Sequence, residues 1–330
     1  MIMKASLRRQ CMDYKQIIGE AWNFTQENKK LIVWYAFIPS TLGTLVGVIY
    51  LIYQFFAFKS SPLFEDWQQS FSFLAVKAIY STAREHFNNL IPLFIILGIL
   101  ALLYFFLPPI AEGAMIQLIA RKKNKQDVRT RDGFRYGFAT FLPLFNYSWV
   151  ARSFNFFVIF GEMAFVLRNL GPSAFQTLFP VFILAVFFSI IFGFLFVFTE
   201  YHIVIDDRHI AESMAKSAVL AVKHWDVALM VSVLMFLIGI RIILQIIFVL
   251  LVPGSVFFLI YFLAASTIPF LGLLAGGAIA LVALFLASYL GAVVHVFTTS
   301  VWVFTFLELT NTPEVSARAA QPLESIVREE

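Results

Sequence analysis

The stretch EYHIVIDDRHIAE, residues 200–212, places Glu200, His202, Asp206, Asp207, His209 and Glu212 within thirteen positions. Carboxylates and imidazoles at that density are the donor types of a hydrolytic metal centre, where zinc takes nitrogen and oxygen ligands at about 2.0–2.2 Å. The spacing matches no compact ligand motif, since neither HExxH nor CxxC occurs. Alternation along YHIVIDD would also send successive side chains to opposite faces. The stretch therefore reads as a solvated elbow between two apolar runs. The catalytic alternative is a membrane-surface hydrolase using Glu200, His202, Asp206 and His209.

Other ionisable residues sit inside apolar runs, which is where function is sought by default. Glu162 lies 17 residues past Phe145 and Arg241 lies 16 past Trp225, so in two helices running the same way they share one depth. They are expected to pair, with Gln245 one turn beyond Arg241 taking further guanidinium hydrogen bonds. The pair reads as a packing clamp, or alternatively as the centre of a small-solute or ion permease. Glu112, Glu200 and Glu308 each close an apolar run. His295, alone on an apolar helix, reads as a hydrogen-bonded bundle residue. No GxSxG, Walker A, dinucleotide fingerprint or paired carboxylates appear, so no catalytic set, cofactor or metal is expected and the chain is not read as an enzyme.

The elements that must position these groups follow from composition. Of 330 residues 60% are apolar, 40 are Phe and 13% are charged, against about 25% charged in a soluble domain. Water would meet too little polar surface, whereas lipid accepts an apolar exterior and requires the backbone to pair internally, which selects helices. The run LIPLFIILGILALLYFFLPPI does not alternate as a barrel strand would. The single Cys11 excludes an intrachain disulfide or a thiolate cage. The first apolar run is too long for a signal-peptide core and should stay in the membrane.

The fold class is all-α, a polytopic membrane protein with six spans near 31–57, 90–118, 145–168, 176–204, 226–251 and 270–307. The last run, 38 residues, would reach roughly 57 Å and must tilt, bend at a glycine or project. Residues 1–310 form one transmembrane domain, 60–89 an outer-face helical segment, and 311–330 a polar tail. The stretch 254–265, between Pro253 and Pro269, is short for a span and reads as surface-lying or re-entrant. Six Lys and Arg precede the first span and seven fall in 121–135, so most basic residues share one side. Both termini are thus expected in the cytoplasm, with an even number of crossings. The basic residues follow topology, so the pI of about 9.1 does not imply nucleic acid.

Three amphipathic stretches precede odd-numbered spans: Tyr14, Ile17, Ile18, Ala21 and Trp22; Phe134, Phe138 and Phe141; and Ile210, Met214, Ala218, Ala221 and Trp225. They suggest three units, each an interfacial helix followed by an outward and a returning span. HIVIDDRHIAESMAKSAVLAVKHWDVAL resembles a group of bacterial membrane proteins similar to the membrane domain of glycerophosphoryl diester phosphodiesterase, with Ala211, Ser217, Lys223, His224 and Trp225 on its pattern. Residues 17–34 resemble that group's opening helix. The resemblance implies the membrane fold but not the hydrolytic activity, because the His-Arg-Gly motif is absent. Small residues from Gly277 to Ala292 mark a packing seam within the bundle, against a second copy or against another membrane protein. Together these point to a multi-pass protein of a bacterial cytoplasmic membrane, a lipid-facing scaffold or partner-binding subunit.

Overall fold

The computed structural model describes residues 14–59, 87–240 and 269–310, with single positions 77, 80, 81, 84 and 247. The tail, the stretch 254–265, most of the outer segment and both Arg241 and Gln245 lie outside the described residues. Helix α1 is Tyr14–Glu27, and α2 is Phe37–Lys59, entered through the turn Lys29–Leu31 and a π-helical stretch Ile32–Ala36. Then follow α3 (Phe87–Lys123), α4 (Gly133–Ala139), α5 (Phe141–Ser153), α6 (Phe156–Asn169), α7 (Gly171–Leu195), α8 (Thr199–Ile205) and α9 (Ile210–Lys223). After these come α10 (Trp225–Ile240) and α11 (Pro269–Leu309). Among the described residues there is no strand.

Four stretches are long and apolar enough to cross a bilayer: Lys29–Tyr50, Phe94–Lys123, Gly171–Ile205 and Gly277–Leu309. A fifth arises if α9 and α10, which meet at 97°, count as one broken span. The protein is therefore an all-helical, multi-pass membrane protein. The expected continuous span 145–168 is not formed, because α5 and α6, of 13 and 14 residues, break at Phe154–Asn155. Ser189 Oγ donates to the Phe154 carbonyl at 2.6 Å, and the Phe154 ring packs edge-on against Phe192 at 4.7 Å. A hydroxyl and an aromatic contact thus hold the chain where the helical ladder is interrupted.

The core gathers at one end of the bundle, around Tyr35, Met115, Ile119, Val204, Val301 and Phe306. The basic residues gather there too. Lys123 pairs with Glu20, Lys122 Nζ donates to Asn28 Oδ1 at 2.6 Å, and the Arg121 guanidinium lies 4.6 Å over the Tyr136 ring. Gln117 donates to the Val204 carbonyl, so the elbow after α8 sits at this same end. Farther along, Ile95, Ile96, Leu102, Ile183, Leu184 and Phe187 point outward, as lipid-facing surface does.

The short helices turn the expected apolar sides inward, with Ile17, Ile18, Phe134, Ile210 and Met214 against the core and Ala21 and Ala221 within it. Small residues beside them are nevertheless buried deepest. On α9 the buried residues are Ser213, Ser217 and Ala221, while Val219, Val222 and Trp225 are exposed. On α4 the buried pair is Gly133 and Gly137, and Phe138 is exposed. Small side chains win because close backbone approach is worth more here than apolar bulk. A Cβ on Gly137 would stand 2.2 Å from the Ile110 carbonyl oxygen. Part of the seam on α11 is internal, with Ala287, Ser288 and Ala292 buried and Ser40 Oγ donating to the Ser288 carbonyl at 2.9 Å, while Gly277 and Ala280 are exposed. A Cβ on Gly291 would meet that Ser40 hydroxyl, so this part of the seam is already occupied by α2.

Gly137→Ala should lower stability by about 1–3 kcal/mol, since overpacking against backbone exceeds the helix-propensity gain of about 1 kcal/mol. Gly47→Ala, whose Cβ meets nothing within 4 Å, should be neutral or stabilising in the same detergent melt. A second expectation concerns Glu20, whose carboxyl is held below its ordinary range by hydrogen bonds from Lys123 and then Gln16. A depressed folded-state pKa stabilises above the unfolded value and loses that contribution as pH falls through the folded one. Both partners are more than a third exposed, so the loss should be only about 0.2–1 kcal/mol. Unfolding curves of wild type and Lys123→Met should therefore converge between about pH 5 and pH 3.

Candidate functional site

Three helices bring ionisable side chains to one place: α3 carries Glu112, α8 carries Glu200 and α11 carries His295. On α3, Glu112 follows Pro108 and Pro109 by one turn. Proline lacks an N–H, so the carbonyls released are those four residues back, on Tyr104 and Phe105, about two turns before Glu112. His295 Nε2 lies 2.8 Å from Glu112 Oε2, and Thr299 Oγ1, one turn along α11, donates to Glu112 Oε1 at 3.3 Å. Both oxygens of this carboxylate are therefore engaged by one face of α11.

Glu200 is aimed by the break between α7 and α8. Leaving the helical ladder there frees backbone groups that must be matched in a low-dielectric setting. Ser217 on α9 supplies two partners, its Oγ donating to the Leu195 carbonyl at 2.8 Å and accepting from the Phe198 N–H at 3.0 Å. Tyr147 on α5 donates to the Phe196 carbonyl at 3.1 Å. Held so, Glu200 feels the charges of Glu112 and His295, yet its carboxylate accepts no hydrogen bond from a described residue. It is half-buried and lines two cavities.

The first cavity, about 360 Å³, is bordered by Glu112, Glu200, His295, Asn155, Ser148 and the proline pair. The second, about 380 Å³, is walled by Val150, Phe154, Phe192, Phe196, Val197 and Met214, with Tyr147 as its other polar wall. Ala151 and Glu200 border both. The helix break at Phe154–Asn155 contributes one residue to each cavity.

The elbow residues part company. His202 Nδ1 meets Asp206 Oδ2 at 2.7 Å with both nearly buried, and Arg208 Nε stands 3.7 Å from the same oxygen. Arg208 and Lys216 both bind Glu212. The segment is helical, not extended, and Tyr201 to Ile205 are buried, so only Asp207 to His209 form the wet turn, with Asp207 in the left-handed region at φ 50°. Glu200, His202, Asp206 and His209 do not converge, and among the described residues no three His, Cys, Asp or Glu are placed to hold a metal.

Of the three span-end acids, Glu112 and Glu200 come together, whereas Glu308 is exposed and takes no part. His295 occupies the corresponding place, and sequence reasoning set it aside. The signal was available, since each returning span carries one ionisable residue short of its end: Glu112, Glu200 and His295. Glu162 is exposed on α6, and its expected partners lie outside the described residues. The sequence matches no protein-family model and no curated protein, and the fold matches no solved structure.

In a double-mutant cycle on unfolding free energy, Glu112→Ala and His295→Ala should show a coupling of about 0.5–3 kcal/mol. Each single change strands the other charge, so the double variant should be less destabilised than the sum. Additivity would mean that the contact contributes nothing to stability.

Proposed function

We propose that the chain is a carrier of a bacterial cytoplasmic membrane that binds a small cationic solute between Glu112, Glu200 and His295. One observation carries this reading: the cavity of about 360 Å³ between the helices is bordered by two carboxylates and one imidazole, and Glu200 receives no hydrogen bond from a described residue. An uncompensated carboxylate in low dielectric costs several kcal/mol, so the site favours an occupant that brings positive charge. A scaffold would instead be expected to fill its centre with side chains, and a polar cavity between helices is the usual form of a solute site. Broken helices at α5/α6 and α7/α8 border the cavity, as discontinuous helices border transporter sites.

The finer topology belongs to the same proposal. Six spans in three units, both termini cytoplasmic, agree with three short helices that each end at a break, at Asn28, Thr140 and His224, before the next helix begins. The resemblance to the phosphodiesterase-associated membrane domains fits this arrangement of short helix, break and span. Glu162 and Arg241 would form a second charged level, and the membrane lipids the surroundings.

Tetramethylammonium, the smallest permanently charged ammonium probe, should bind the purified protein saturably by isothermal titration. Glu112→Gln and Glu200→Gln should each weaken binding at least tenfold, and Gly47→Ala should leave it unchanged. Equal affinity of Glu200→Gln and wild type, or no binding of tetramethylammonium, would remove the proposal.

A further inference from the structure

The second cavity departs from the first in chemistry while sharing its carboxylate. Val150, Phe154, Phe192, Phe196, Val197 and Met214 form an apolar, largely aromatic wall, and Glu200 stands where the two volumes adjoin. A site for a compact, fully hydrated cation has no use for such a wall, because apolar surface repays only contact with apolar groups, at roughly 25 cal/mol per Å². Aromatic faces add attraction for a quaternary or protonated ammonium within about 6 Å. Two of the wall residues, Val150 and Phe154, are 44% and 40% exposed, counting the surface they turn to the cavity.

Resting on the carrier reading above, we infer that the ligand is an amphipathic monocation: an ammonium head at Glu200 and Glu112 with a hydrocarbon tail of several carbons in the cavity between α5, α7 and α9. Charge complementarity fixes the head. Glu112 already holds His295 and Thr299, which leaves Glu200 as the carboxylate with capacity to accept. Position fixes the tail, since Glu200 is the one carboxyl group among the described residues bordering the apolar volume and it lies at that volume's junction with the polar one. A dication would find no second carboxylate among the described residues of the apolar volume, and a neutral lipid tail would leave Glu200 unmatched.

Gly193 supplies a selective test. It lines only the second cavity, and a Cβ added there meets nothing within 4 Å, so a larger side chain can enter the volume without displacing backbone. Hexyltrimethylammonium should bind wild type at least tenfold more tightly than tetramethylammonium, a gain of about 1.4 kcal/mol. Gly193→Leu should cut that advantage to less than threefold while leaving tetramethylammonium affinity unchanged. Met214→Phe, which narrows the same volume from α9, should act in the same direction and stands in if the glycine variant fails to fold. Glu200→Gln should weaken both probes together. Equal affinity of the two probes, or a hexyl advantage that survives both filling variants, overturns the tail site while leaving the carrier reading intact. Loss of binding by both probes in wild type overturns the two together.

Discussion

Backbone that leaves the helical ladder inside hydrocarbon must find other partners, and this constraint organises the molecule. Three hydroxyls meet it where it matters most. Ser217 bridges Leu195 and Phe198 across the α7/α8 break, Tyr147 takes the Phe196 carbonyl, and Ser189 takes that of Phe154. An unmatched group of this kind costs roughly 1–3 kcal/mol in proteins, so each bond decides whether its break is tolerated. The consequence is directional. With α7 ended at Leu195 and α8 begun at Thr199, Glu200 turns toward α3 and α11, whereas an unbroken helix would place it by the register of α7.

The charges follow from that placement. Glu112 has two donors from one face of α11, an arrangement that offsets much of its desolvation. Glu200 has no donor among the described residues and shares its surroundings with Glu112, so two carboxyl groups stand beside a single imidazole. At the elbow, by contrast, the Asp206 carboxylate is matched by both His202 and Arg208, although His202 Nε2 and Arg208 Nε make no hydrogen bond there. The contrast between these two clusters, a few residues apart on one helix, is what distinguishes a fixed joint from a site with a place left over.

Much of the architecture could be read from the chain alone. The apolar runs locate four crossing helices, and the Lys and Arg stretches lie together at one end. Glu112 and Glu200 were legible as candidates because acids at the ends of apolar runs are rare. Their meeting with His295 was not, because depth along a helix does not specify azimuth, and Glu308 looked like the natural third member. The small residues buried on α4 and α9, beside the apolar ones expected there, escape the sequence for a related reason. Amphipathic spacing points inward only if bulk seeks the core, yet Gly137 and Ser217 face inward because one allows contact with the Ile110 carbonyl and the other caps a break. The break at Phe154–Asn155 falls at a polar dip, Arg152, Ser153 and Asn155, but the partners that hold it open, Ser189 and Phe192, sit more than thirty residues away on α7.

The α5/α6 break borders both cavities and the α7/α8 break borders the second, and that geometry ties occupancy to shape. Phe154 and Asn155, adjacent in sequence, face the apolar and the polar volume respectively, so a rotation at this joint moves one wall of each. Glu200 occupies the equivalent position beside the second joint. A ligand shifts such a joint only through contacts that differ between its two arrangements. A head at Glu200 and a tail against Phe154 and Phe192 would touch both joints at once, which a compact ion could not. In the proposed carrier, length in the ligand is therefore the property that couples binding to movement of the helices, and charge alone supplies the affinity.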